Sequence, residues 1–186
     1  MVYSRIKLRN DAVKTFKSHN FLSCFCIFQH MKLEIELVPE TAWYSNLRKR
    51  ISKREWDKIR KQCYADANHK CAICGAGGRL NCHEIWEYDD KKHVQKLKGF
   101  IALCDDCHMI KHIGFAEIQA SKGLLDMDKL VEHFMKVNGV DKKTFYRHRE
   151  EAFKVWKERS QHEWTTDFSR WATLISPLKQ LKLRFS

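Results

Sequence analysis

Two cysteine pairs carry the plainest chemistry in this chain: Cys71-Ala-Ile-Cys74 and Cys104-Asp-Asp-Cys107. A gap of two residues lets both thiolates of a knuckle face one ion, and two knuckles complete a tetrahedral four-sulfur zinc site. Gly75, Gly77 and Gly78 follow the first pair, where a knuckle needs a tight turn. Closed all-thiolate sites are structural, so the expected Zn²⁺ holds the fold and does no catalysis. Four free core cysteines are the plainer alternative. A redox pair fits less well, because nothing nearby resembles a thioredoxin unit.

Histidines lie between and after the knuckles. The run Leu80-Asn-Cys-His-Glu-Ile-Trp-Glu-Tyr-Asp-Asp90 begins with the alternation of a strand, with His83 near its middle. After the second knuckle comes His108-Met-Ile-Lys-His112. Residues four apart share one face of a helix, which is metal-ligand spacing.

The combination of knuckle, strand histidine, knuckle and helical histidines resembles the HNH nuclease family, also called the ββα-metal fold. The likeness is tight over about Lys70 to Gly114. The run Leu-Cys-Asp-Asp-Cys-His-Met-Ile-Lys-His is similar to the family's closing signature of knuckle plus helix. The flanking sequence from Met31 to Trp164 looks like a bacterial and phage branch. The resemblance implies that His83 is the general base. It also implies that His108 and His112 hold a catalytic divalent ion, Mg²⁺, Mn²⁺, Ni²⁺ or Zn²⁺, and so makes His108 part of the catalytic set. The implied function is endonucleolytic hydrolysis of phosphodiester bonds in nucleic acid, double-stranded DNA foremost.

Two positions depart from the family pattern. Cys82 stands where Asp or His normally precedes the base as a further ligand. Gly99 stands where the middle Asn falls, and Asn81 is too far back to replace it. A thiolate is a poor Mg²⁺ ligand, so Cys82 reads as core or as a softer ion's ligand. Asp89, Asp90 and Glu84 are candidates for the missing oxygen. The departures keep two alternatives open: an inactive zinc-dependent nucleic-acid-binding module, and a zinc-stabilised protein adaptor.

The elements that position these residues follow from local signals. The expected fold class is α+β: a small ββα-metal core with a four-cysteine zinc site, flanked by an N-terminal strand–helix and C-terminal helices. Met31 to Val38 alternates apolar and charged residues, as a half-exposed strand does. Ser52-Lys-Arg-Glu55 is a capping box opening a helix over 52–68, with Trp56, Ile59, Cys63 and Ala67 as its buried stripe. Asp126–Asn138 and a helix from Asp141 to about Glu163 supply the C-terminal part, 124–164. Trp164, Phe168 and Trp171 are expected to pack back on the core. The division is an extension over 1–30, one domain over 31–168 and a basic tail over 169–186.

Charge points to a polyanion. Lys plus Arg outnumber Asp plus Glu by 35 to 23, a net +12. Between Asn46 and Lys70 nine basic residues face three acidic ones, a local +6. Arg48, Arg50, Lys53, Arg54, Lys58 and Lys61, with Lys111, are the candidate phosphate contacts. The apolar run Phe21–Phe28 is far short of the ~20 residues that span a bilayer, so no membrane partner is expected. No signal-peptide pattern is visible, and a cytoplasmic setting follows, where paired cysteines more often hold metal than form disulfides.

Overall fold

A computed structural model of the chain describes residues 31–175. The expected extension over 1–30 and the end of the tail, 176–186, lie outside the described residues.

A hairpin forms the centre. β1 (Asn81–Asp89) pairs antiparallel with β2 (Val94–Leu103). The short β3 (Thr165–Asp167) adds in parallel to the other side of β2, giving the order β1-β2-β3. His83 faces Ile101 across the ladder, and Ile85 faces Gly99. The next pair is Trp86 with Leu97, so Lys98 is an extra residue and β2 bulges beside the glycine.

The helices are α1 (Leu47–Arg50), α2 (Lys53–Asp66), α3 (Asp105–Lys111), α4 (Ile113–Ser121), α5 (Met127–Asn138) and α6 (Lys142–Arg159). Their ends follow local chemistry. Ser52 Oγ accepts from the Glu55 amide and starts α2. Asp126 accepts from the Asp128 and Lys129 amides, and Asp141 from the Thr144 amide, starting α5 and α6. Gly139, at φ +66°, closes α5 in the left-handed conformation that costs a side chain most. α6 ends at Arg159, short of the expected Glu163, with Ser160 as its cap. The fold is thus α+β with a small three-stranded sheet.

Two apolar clusters flank the hairpin. One joins Leu33, Leu103, Ile110 and Ile113 to Phe134 and Phe145 of the C-terminal helices. The other joins Leu97 of β2 to Trp56 of α2, with Cys82 and Trp86 of β1 packed against it. Because side chains alternate along a strand, His83 belongs to the first side and Cys82 to the second.

Two expectations are corrected. Residues 31–38 form no helix and join no strand among the described residues. Their backbone is satisfied by other partners: Asn138 bonds both the N–H and C=O of Leu33, His148 accepts from the Ile35 amide, and the Glu36 amide donates to Lys111 O. The alternation survives because Leu33 and Ile35 enter the core. The supposed tail begins as a 3-10 helix over Ser169–Leu174, with Phe168 and Ile175 buried and Trp171 packed edge-on to Phe100 at 5.2 Å. No helix among the described residues is long and apolar enough to cross a membrane.

Candidate metal centres

The four knuckle cysteines converge as their spacing predicts. Cys71 precedes β1 in a loop, and Cys74 ends its turn. Cys104 caps α3, and Cys107 lies in its first turn. Gly75, at φ +77°, lets its N–H return to Cys71 O at 2.9 Å, while the Ala72 amide ties the knuckle to Ala102 O of β2. The four sulfurs all lie within 4.8 Å of one another. Cys74 and Cys104 sulfurs are 3.6 Å apart. Sulfurs at ~2.3 Å from a shared tetrahedral ion would be about 3.8 Å apart, whereas a disulfide is ~2 Å long. The cluster therefore has the geometry of a metal site. Burial opposes ionisation of the Cys71 thiol, but the amides of Cys74, Cys104 and Ile73 aimed at its sulfur bring it down to about 7. Burial pushes the Cys104 thiol up to about 11. His133 of α5 places Nε2 3.1 Å from Cys107 Sγ and backs the cluster from outside.

The three histidines form a second cluster, one ring nitrogen from each of His83, His108 and His112 lying within 4.8 Å of the others. Ring centroids are 5.5 Å apart for His83–His108, 4.8 Å for His83–His112 and 4.7 Å for His108–His112. His108 lies on α3, and His112 sits where α3 ends and α4 begins. Burial, and then mutual repulsion with His83, lowers His108 to about 4 and His112 to about 3. Both are neutral at pH 7, with lone pairs available to an ion. Three converging imidazoles suit a divalent transition metal.

The sequence reading missed one member of this site. Glu36, on the segment 31–38, places Oε2 3.1 Å from His83 Nε2, and its other oxygen accepts from the Lys111 ammonium. Burial alone would raise its carboxyl. The bonds to His83 and Lys111 outweigh that and bring it to about 2. No local pattern pointed to it: Glu36 is one charged position in an alternating run, 47 residues before its partner.

The remaining candidates are placed as follows. Cys82 faces Cys63 of α2, with which its thiol shares a hydrogen bond, so both belong to the packed side of the hairpin. Asp90 is gripped by Arg159 through both carboxylate oxygens, at 2.7 and 2.9 Å. Asp89 accepts from the Lys91 and Lys92 amides in its own turn. Neither joins the histidines. Glu84 accepts from the Arg48 amide, and burial raises its carboxyl to about 7 against the pull of the Arg48 and Leu47 amides. Asn81 donates to Asp105. Gly99 has open space where a Cβ would stand. Lys111 was expected to present its charge to phosphate. Instead it is only 8% exposed and its ammonium is held by Glu36.

The basic run is partly neutralised along its own helix: Lys53 and Arg60 pair with Asp57, and Lys58 with Glu55. Arg48 packs over Trp56, and Arg50, Arg54 and Lys61 have no carboxylate partner among the described residues. A cavity of about 560 Å³ reaches from Glu36, His83, His108 and His112 to Arg48 and Lys49. β1 is an edge strand of the sheet among the described residues, and the cavity meets side chains from both of its faces.

In comparisons with known protein families, curated proteins and solved structures, none matches this chain.

Proposed function

We propose that this chain is a metal-dependent endonuclease of the HNH type, with the hairpin β1–β2 and helix α3 as a ββα-metal core above a structural zinc. The observation that carries this reading is the convergence of His83 with His108 and His112 at the wall of an open cavity with a basic rim. The order of hairpin, knuckle and histidine-bearing helix, and the +12 charge, support it.

Phosphodiester hydrolysis requires a water to lose a proton as its oxygen bonds to phosphorus, while the bond to the departing sugar oxygen breaks. With Nε2–H donated to Glu36, the Nδ1 lone pair of His83 is the acceptor for that proton. Glu36 fixes the tautomer and stabilises the imidazolium that forms. His83 then returns the proton to solvent, and the departing oxygen is protonated in turn. His108 and His112 would hold a divalent ion, which would supply Lewis-acid stabilisation of the charge on the phosphoryl and departing oxygens. Arg48 at the cavity rim steadies the strand backbone.

A second reading makes His83 a third ligand, because its ring nitrogen belongs to the same 4.8 Å set. Glu36 then becomes the outer carboxylate that orients a ligating imidazole. Digestion of plasmid across Mg²⁺, Mn²⁺, Ni²⁺ and Zn²⁺ with wild type and His83→Ala tests the proposal, paired with Ni²⁺ titration of both. Loss of cleavage with unchanged Ni²⁺ affinity assigns the base, and loss of both assigns the ligand. A His83→Ala protein that cuts normally refutes both assignments.

A further inference from the structure

Five aromatic side chains line the cavity beside the histidines: Trp43, Trp56, Trp86, Tyr88 and Phe115. Three are engaged by other rings. Trp56 packs edge-on to Phe100 at 5.8 Å, Trp86 to Phe168 at 6.1 Å and Tyr88 to Trp164 at 5.4 Å. Trp43 and Phe115 differ. They are 49% and 42% exposed, and neither meets another ring among the described residues. Both also line a second cavity of about 530 Å³, which shares Glu36, Val38 and His112 with the first. Phe115 follows His112 by three residues, its amide donating to His112 O, so ring and imidazole project from neighbouring points on one turn. Trp43 closes the 3-10 turn Glu40–Ala42, just after the segment that carries Glu36.

A wall of this kind suits a base better than a phosphate. Continuous duplex is held through its phosphates, and its stacked bases offer no π-face to a side chain. An unpaired base offers two, and stacking on aromatic rings is how proteins hold single strands. The charges nearby complement such a strand: Arg48 lines the same cavity, while Lys53, Lys58 and Arg60 of α2 are paired with Asp57 and Glu55.

Resting on the nuclease reading above, we infer that the cavity takes an unpaired nucleobase stacked on Trp43 and Phe115, so that the substrate is single-stranded or locally opened nucleic acid. The two rings hold the base next to the phosphate presented to His83, His108 and His112.

Fluorescence anisotropy of the full chain, titrated without added divalent ion into labelled oligothymidine of about 15 nucleotides and into the matched duplex at equal salt, tests the inference. The single strand binds at least tenfold tighter. Trp43→Ala and Phe115→Ala each weaken single-strand binding about 5- to 100-fold, with a smaller effect on duplex, and Trp43→Phe retains most of the affinity. Equal or tighter binding of duplex overturns the inference. So does an equal loss on both probes in variants whose thermal melts match wild type. A cavity filled by another part of the chain binds neither probe, which also overturns it. Cleavage is read separately with metal: strand preference without cutting refutes the nuclease reading alone, and duplex cutting that ignores Trp43 and Phe115 refutes this inference alone.

Discussion

His83 and Glu36 meet at 3.1 Å although 47 residues of chain separate them, and Glu36 in turn holds the ammonium of Lys111. One carboxylate therefore serves both a buried imidazole and a buried cation.

Replacing that carboxylate leaves Lys111 without its charge partner and His83 without its fixed tautomer. Glu36→Gln is expected to lower stability by about 1–3 kcal/mol, the usual cost of an orphaned buried polar group. Cleavage should fall further than stability explains. Chemical denaturation paired with single-turnover cleavage separates the effects, and full activity in a folded Glu36→Gln protein removes Glu36 from the site.

His108 and His112 supply two of the three nitrogens at the cluster. His108→Ala and His112→Ala should each weaken Ni²⁺ or Co²⁺ binding by tenfold or more, by analogy with the sensitivity of metal sites to lost ligands and their supports. Calorimetric titration reads this directly. Undiminished affinity in the double variant means that the imidazoles do not bind the ion.

Zinc at the four-cysteine cluster should be inseparable from folding, since structural zinc contributes about 10–16 kcal/mol of apparent binding energy in small domains. Cys107→Ser, or prolonged exposure to a strong chelator, should abolish cooperative melting. Metal analysis of the purified protein should find one tightly held zinc that chelators remove only with unfolding. A chelated, metal-free chain that melts as before would contradict the structural role.

Acid should loosen the segment that carries Glu36. His148 accepts from the Ile35 amide, which needs a neutral ring. Burial, then the positive charge of Lys111, lowers its pKa below the usual 6.5, and the Phe134 ring stacks on it at 5.7 Å. The folded state thus binds a proton less readily than the unfolded chain. This contribution to stability is complete above about pH 6.5 and declines as the pH falls through that value toward the lower folded one. His148→Gln, which keeps an acceptor but does not titrate, should flatten the stability profile between pH 7 and 5. An unchanged slope would rule His148 out as the titrating group.

Features written into short stretches of sequence were legible. The CxxC pairs, the His108/His112 step and the cap at Ser52 each depend on residues within one or two turns, and each appears in the structure. Features that depend on distant partners were not. Lys111 reads as an exposed base until Glu36 is seen to reach it. The run 31–38 has a strand's alternation, yet its backbone partners are side chains of α5 and α6 and the Lys111 carbonyl of α3, which no pairing pattern announces. β3 is only three residues long, too short to leave a period, and α4 carries apolar residues on several sides with Gly114 inside it.

Asn138 and His148 grip the backbone of 31–38, the segment that carries Glu36. The carboxylate beside His83 is thus delivered by a clamp whose jaws are the last two long helices. A chain trimmed after α4 would retain every cysteine and histidine of the two centres and still lose control over where Glu36 points. The unit that positions Glu36 is therefore larger than the cysteine and histidine motif, and its remote boundary is set by a single asparagine and a single imidazole.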